Sequence, residues 1–93
     1  MRKQPVGFEV SLSARDDGTV EAMYVQISDN PVAETRELDE DILLGDYDEK
    51  GELVGIEILA PVSLDALLAM VDPSRRESLA RVLRNGAREL VVS

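Results

Sequence analysis

The sequence predicts an α+β domain: an antiparallel β-meander of about five strands with two short C-terminal helices packed on one sheet face. Three observations predict it. Apolar residues alternate with period two through much of residues 6–59, the spacing of strands with one buried face. Turns rich in Asp, Asn, Gly and Pro punctuate these runs. After Pro61 the spacing becomes i, i+3, i+4, i+7, the period of a helix with one apolar stripe. Strands joined by tight turns pair antiparallel, and helices gathered at one end of a chain cover one sheet face. The 93 residues make a single domain, with a β-rich region over 1–60 and a helical extension over 61–93.

Val6, Phe8, Val10 and Leu12 alternate with small or polar residues, which predicts a first strand with those four on its buried face. Asp16-Asp17-Gly18 is turn chemistry. A second strand over 20–28 puts Met23, Val25 and Ile27 on one side and Tyr24 and Gln26 on the other. Asp29-Asn30-Pro31 forms the next turn. The segment 32–38 is mostly polar, and its charges suit an edge strand. Asp39-Glu40-Asp41 is a charge run before a fourth strand ending at Tyr47. Asp48-Glu49-Lys50-Gly51 predicts a hairpin with glycine left-handed, and Leu53 to Leu59 the fifth strand, with Val54, Ile56 and Ile58 on one face.

Leu64, Leu67, Leu68 and Val71 form the first helical stripe, with Ser63 able to cap it. The second helix starts either with Asp72 as cap and Pro73 in its first turn, or with Ser74 and Glu77 as a capping box. Leu79, Val82 and Leu83 make its stripe, Glu77 and Arg81 an (i, i+4) pair, and Gly86 its stop. The tail, Glu89 to Val92, is apolar enough to add as a sixth strand.

Composition removes several chemistries. Without cysteine there are no disulfides, thiolate nucleophiles or thiolate metal ligands. Without histidine the usual general base near neutral pH and the commonest zinc ligand are missing. A non-enzyme that needs no cofactor is therefore expected. No apolar run approaches the roughly 20 residues that span a bilayer. Met-Arg-Lys-Gln-Pro at the N-terminus leads into an alternating segment and not an apolar signal core, so a cytoplasmic location is expected. The net charge is −9, with five basic and fifteen acidic residues in 1–62 against five and four in 63–93. Such a surface repels phosphate backbones, so no nucleic-acid partner is expected, and it suits a basic protein.

Glu21-Ala22-Met23-Tyr24-Val25, the run from Pro31 to Leu38, Ile42 to Asp48, and Gly51-Glu52-Leu53-Val54-Gly55-Ile56-Glu57-Ile58-Leu59 resemble a bacterial domain-of-unknown-function family, the one numbered 2283. The resemblance covers about residues 8–59, and its last hairpin is the most specific part. The family's acidic stretch ahead of the second strand is only partly kept in Leu12 to Gly18, and the two-helix extension is longer than in compact members. The resemblance implies a β-rich fold and carries over no catalytic residue.

Counted from Asp46, the acidic positions Asp48 and Glu57 fall near those of an EF-hand loop, which makes Asp46, Asp48 and Glu57 the candidate cation ligands. Lys50 at a ligand position and strand-like flanks favour a plain hairpin instead. The carboxylates Glu34, Glu37, Asp39, Glu40, Asp41, Asp46 and Asp48 include pairs of the kind that run glycoside hydrolysis or bind magnesium. Those roles need a cleft larger than this chain offers, and the carboxylates read as a solvated charged surface. The arginines at 75, 76, 81, 84 and 88 could belong to a helix-turn-helix, yet an amphipathic helix explains them without DNA. Tyr24 and Tyr47 are the candidate interaction residues; they serve as interface anchors on an exposed sheet surface, or they pack beneath helices. Taken together, the sequence points to a non-catalytic protein-interaction module that self-associates as a homo-oligomer or binds a basic protein. The alternative is a small-ligand or divalent-cation binding domain using the hairpin at 46–57.

Overall fold

The structure, a computed structural model, describes residues 8–86 and 90–92. Five strands form one antiparallel sheet: β1 (Glu9–Ala14), β2 (Val20–Gln26), β3 (Glu34–Asp39), β4 (Leu43–Tyr47) and β5 (Leu53–Ile58). The α+β class is as the periodicity predicts. The order across the sheet is β1-β2-β5-β4-β3, so it departs from consecutive neighbours at one point. β1–β2 and β3–β4–β5 are each built from adjacent hairpins, and β5 is inserted against β2.

The link from β2 to β3 makes this possible. Ile27 and Ser28 donate their backbone N–H to Val54 O at 2.8 and 3.1 Å, past the end of β2, and Ala33 N then donates to Tyr47 O at 2.8 Å. The chain thus skirts the end of β5 and enters the sheet again at its far edge. Gly18 and Gly51 turn the β1–β2 and β4–β5 hairpins at φ 90° and 83°, a region open to glycine without steric cost. In the first turn Asp17 Oδ1 accepts from Thr19 N at 2.9 Å.

The second layer follows from Ser63 onward. Ser63 Oγ accepts from Ala66 N at 3.3 Å and starts α1 (Leu64–Leu68). A 3₁₀ turn over Pro73–Arg75, with Asp72 before it and Pro73 in its first turn, leads into α2 (Arg76–Gly86). Ser74 makes no capping box; its hydroxyl donates to Asp72 Oδ2 at 2.6 Å. α2 ends at Gly86, and the residues that would complete a glycine stop lie outside those described. The tail does form a strand, β7 (Val91–Val92), which pairs in parallel with β6 (Val62–Ser63) and not with the main sheet.

The core lies between the central strands and the helices. Met23, Val25, Ile56, Ile58, Leu67, Leu79 and Leu83 are all under 2% exposed. Each contributes about 1.5–3 kcal/mol by leaving water. Of the helical stripes, Leu64, Leu67, Val71, Leu79 and Leu83 are buried, while Leu68 and Val82 sit at the margin.

The first strand departs from expectation. It begins at Glu9, Val6 lies outside the described residues, and every residue of β1 is exposed. Val10 and Leu12 point to the core side, as the alternation requires, because they pair directly with Val25 and Met23. They are uncovered because the second layer is narrow. A helix about 10 Å wide spans roughly two strands at about 4.8 Å spacing, and α1 is little more than one turn. β3, at the other edge, is likewise exposed throughout, as its charged sequence predicts.

Candidate functional site

The face of the sheet away from the helices carries a polar chain that links three strands and passes over a fourth. Tyr24 projects there because its neighbours Met23 and Val25 face the core. Its ring lies flat across Gly55 on the adjoining strand, a place that any side chain at 55 would occupy. The Tyr24 hydroxyl donates to Asp46 Oδ2 at 3.0 Å, and Thr35 Oγ1 donates to Asp46 Oδ1 at 2.6 Å. β2, β4 and β3 are thereby joined over the top of β5. Burial first, and then the bond to Asp46 and the charges of Asp46 and Glu57, push the Tyr24 phenol up to about 12. At neutral pH it is a fixed hydrogen-bond donor and no base.

Tyr47 lies on the opposite face. A Cβ at Gly45 would stand 2.9 Å from Tyr47 Cε1, so the ring rests over that glycine on the helix side. Arg36 from the neighbouring strand stacks 4.3 Å from its centroid and pairs with Glu34 at 3.1 Å. The two tyrosines are therefore not brought together. Each ring is half-buried against a strand glycine.

The candidate cation ligands also have separate duties. Asp48 is buried at 8% exposure. Its Oδ1 accepts from Lys50 N and Glu52 N, both at 2.9 Å, and its Oδ2 accepts from Asn30 Nδ2 at 3.0 Å. One carboxylate thus closes its own hairpin and ties down the β2–β3 link. The Glu52 amide first, and then Asn30, hold its carboxyl below the ordinary value. Asp46 serves Tyr24 and Thr35, and Glu57 stands opposite Tyr24 in the ladder. Among the described residues no group of three or more acidic side chains is placed to hold a metal ion.

The helix arginines are partly spent on the fold. Arg75 Nη1 donates to Ile27 O at 3.3 Å and its guanidinium stacks 4.8 Å from the Phe8 centroid; Arg76 Nε donates to Val71 O at 3.2 Å. Arg81 pairs with Glu77 at 3.5 Å on the exposed side, and Arg88 lies outside the described residues. No helix among the described residues is long and apolar enough to cross a membrane.

What the sequence reading missed is the β1 margin. Phe8 is partly covered by Arg75, Val10 is 36% exposed and Leu12 51%. Cover thins along the strand, leaving an apolar stripe in line with the core. Two short helical stripes set against five strands were the available signal.

No curated protein and no solved structure matches this chain. β1, α1 and α2 fall outside the one family match, which also begins later than the resemblance read from residue 8. Residues 17–60, from the first turn through β5, match the family described as Protein of unknown function (DUF2283), the family this sequence resembles.

Proposed function

We propose that this chain is a protein-interaction module whose contact surface is the β1 margin of the sheet. One observation carries the reading: Val10 and Leu12, 36% and 51% exposed, share rows with Val25 and Met23 at 1%. An apolar row that begins in a core and runs out into water is a seam another chain can continue. Beside it, β1 pairs only with β2 among the described residues, so its outer backbone groups form a template for an added strand. A photo-crosslinking residue at position 12, introduced in living cells, tests this, with position 37 on the opposite edge as control. Adducts to another polypeptide from 12 and not from 37 are expected. No adduct at 12, or equal yields at both, removes the reading.

A second reading has its own support. The outer face of the sheet presents Glu9, Glu37, Asp46 and Glu57, while the one arginine within the five strands, Arg36, stacks on the other side. A basic protein would fit that face. Its binding would weaken steeply with added salt, whereas an apolar seam would not.

A further inference from the structure

We infer that the occupant of the β1 margin is a second copy of this chain, joined β1 to β1 in an antiparallel two-fold pair that makes one ten-stranded sheet; this rests on the interaction role proposed above. Three observations carry it. The first is the difference between the two edges. β3 holds four charged residues in six, Glu34, Arg36, Glu37 and Asp39, the usual guard against edge pairing. β1 holds one, Glu9.

The second is self-complementarity. A two-fold axis normal to the sheet keeps each face on its own side, so facing residues must have equal parity. With Ser11 on the axis, Phe8 faces Ala14 of the second copy and Val10 faces Leu12, each twice, all on the helix side. On the outer side Ser11 faces Ser11, and Glu9 faces Ser13 and never another acid. An arbitrary strand need not match its own reverse in this way.

The third is charge. At −9 per chain, two copies repel unless their acids are kept apart. The strand order puts the acidic β3 edge four strand spacings from β1. In the paired sheet the two β3 edges stand nine spacings apart, about 43 Å, several times the Debye length of about 8 Å at physiological salt. Joining through β1 is the edge contact that separates them most.

Light scattering on the purified full chain tests this. Concentrated wild type is expected at twice the chain mass of 10.2 kDa. The double variant Val10→Lys/Leu12→Lys, at two exposed positions, is expected at the single mass with unchanged circular dichroism. Val10→Glu/Leu12→Glu should also be single, and an equal mixture of the two variants should regain the doubled mass. Independently, hydrogen exchange at residues 9–14 of wild type should slow as protein concentration rises. Wild type at the single mass at every concentration overturns the inference, as does a doubled mass indifferent to both lysines. In the first case a crosslink from position 12 to a different protein leaves the interaction role standing and removes only the second copy.

Discussion

Placing a methyl group on Gly55 should break the polar chain on the outer face. A Cβ there overlaps the Tyr24 hydroxyl and Cζ and stands 3.1 Å from Cε1. The backbone on either side is held in ladders to β2 and β4, so the ring must move. It then loses its bond to Asp46, about 1.5 kcal/mol for a half-buried bond to a carboxylate. Uncovering some 60 Å² of ring, roughly a third of what a tyrosine buries, costs about 1.5 kcal/mol more. Alanine in place of glycine in a strand returns about 0.5–1 kcal/mol. The net cost of Gly55→Ala is about 2 kcal/mol. With a urea slope near 1 kcal/mol/M for a small domain, the midpoint falls by roughly 2 M. Far-UV circular dichroism during urea titration reads this directly. The decisive arm is the same substitution in a Tyr24→Ala background, where the clash is gone and alanine should be neutral or stabilising. If Gly55→Ala costs the same with and without the Tyr24 ring, the placement of that ring is wrong.

Other outcomes follow from the same geometry. In a Tyr47→Phe variant the phenolate absorbance should report Tyr24 alone, with a midpoint near 12 that drops when Asp46→Asn removes the bonded charge. Because that value lies above the ordinary 10.0, the unfolded chain releases its proton first; Tyr24's contribution to stability is intact below pH 10 and fades as pH rises toward 12. Asp48→Ala should lower the melting temperature more than Glu49→Ala or Glu52→Ala, since three donors lose their acceptor. Its carboxyl is depressed below 3.8, so its contribution is present above that pH and is lost as acid carries the solution through the folded value. Gly51→Ala, at φ 83° with nothing within 4 Å of a new Cβ, should cost about 1 kcal/mol for backbone strain alone, and Gly51→Asn less, as read by thermal melts. Leu79→Ala should cost about 2–5 kcal/mol, and Leu12→Ala much less when measured on dilute protein, because Leu79 is 0% and Leu12 51% exposed.

The strands were legible because period two is written locally: Met23, Val25, Ile56 and Ile58 face inward as their alternation requires. The strand order was not, since inserting β5 against β2 depends on a link whose bonds to Val54 and Tyr47 span distant parts of the sequence. Alternation also says which side Val10 and Leu12 take without saying how far the second layer reaches. That extent is set by the lengths of α1 and α2, so the direction was right and the burial was not. Alternation placed Tyr24 on its face, while the side taken by Tyr47 and the landing sites of both rings were hidden. The available clue was a glycine in the interior of each of two strands, Gly45 and Gly55, where a neighbour comes close to the backbone. The acids at 46, 48 and 57 showed their spacing and not their donors; Asn30, 18 residues away, is the donor that joins Asp48 to the β2–β3 link.

The parallel clasp of Val62–Ser63 with Val91–Val92 ties the two ends of the helical segment to each other. Everything between them is a ring closed by main-chain bonds, with Leu90 and Val91 pressed into the interior as its latch. Cooperativity follows from that closure. α2 cannot peel away from its free end as a terminal helix would, so the helices and their latch should come off the sheet together, and shortening the chain by its last few residues should loosen all of them at once.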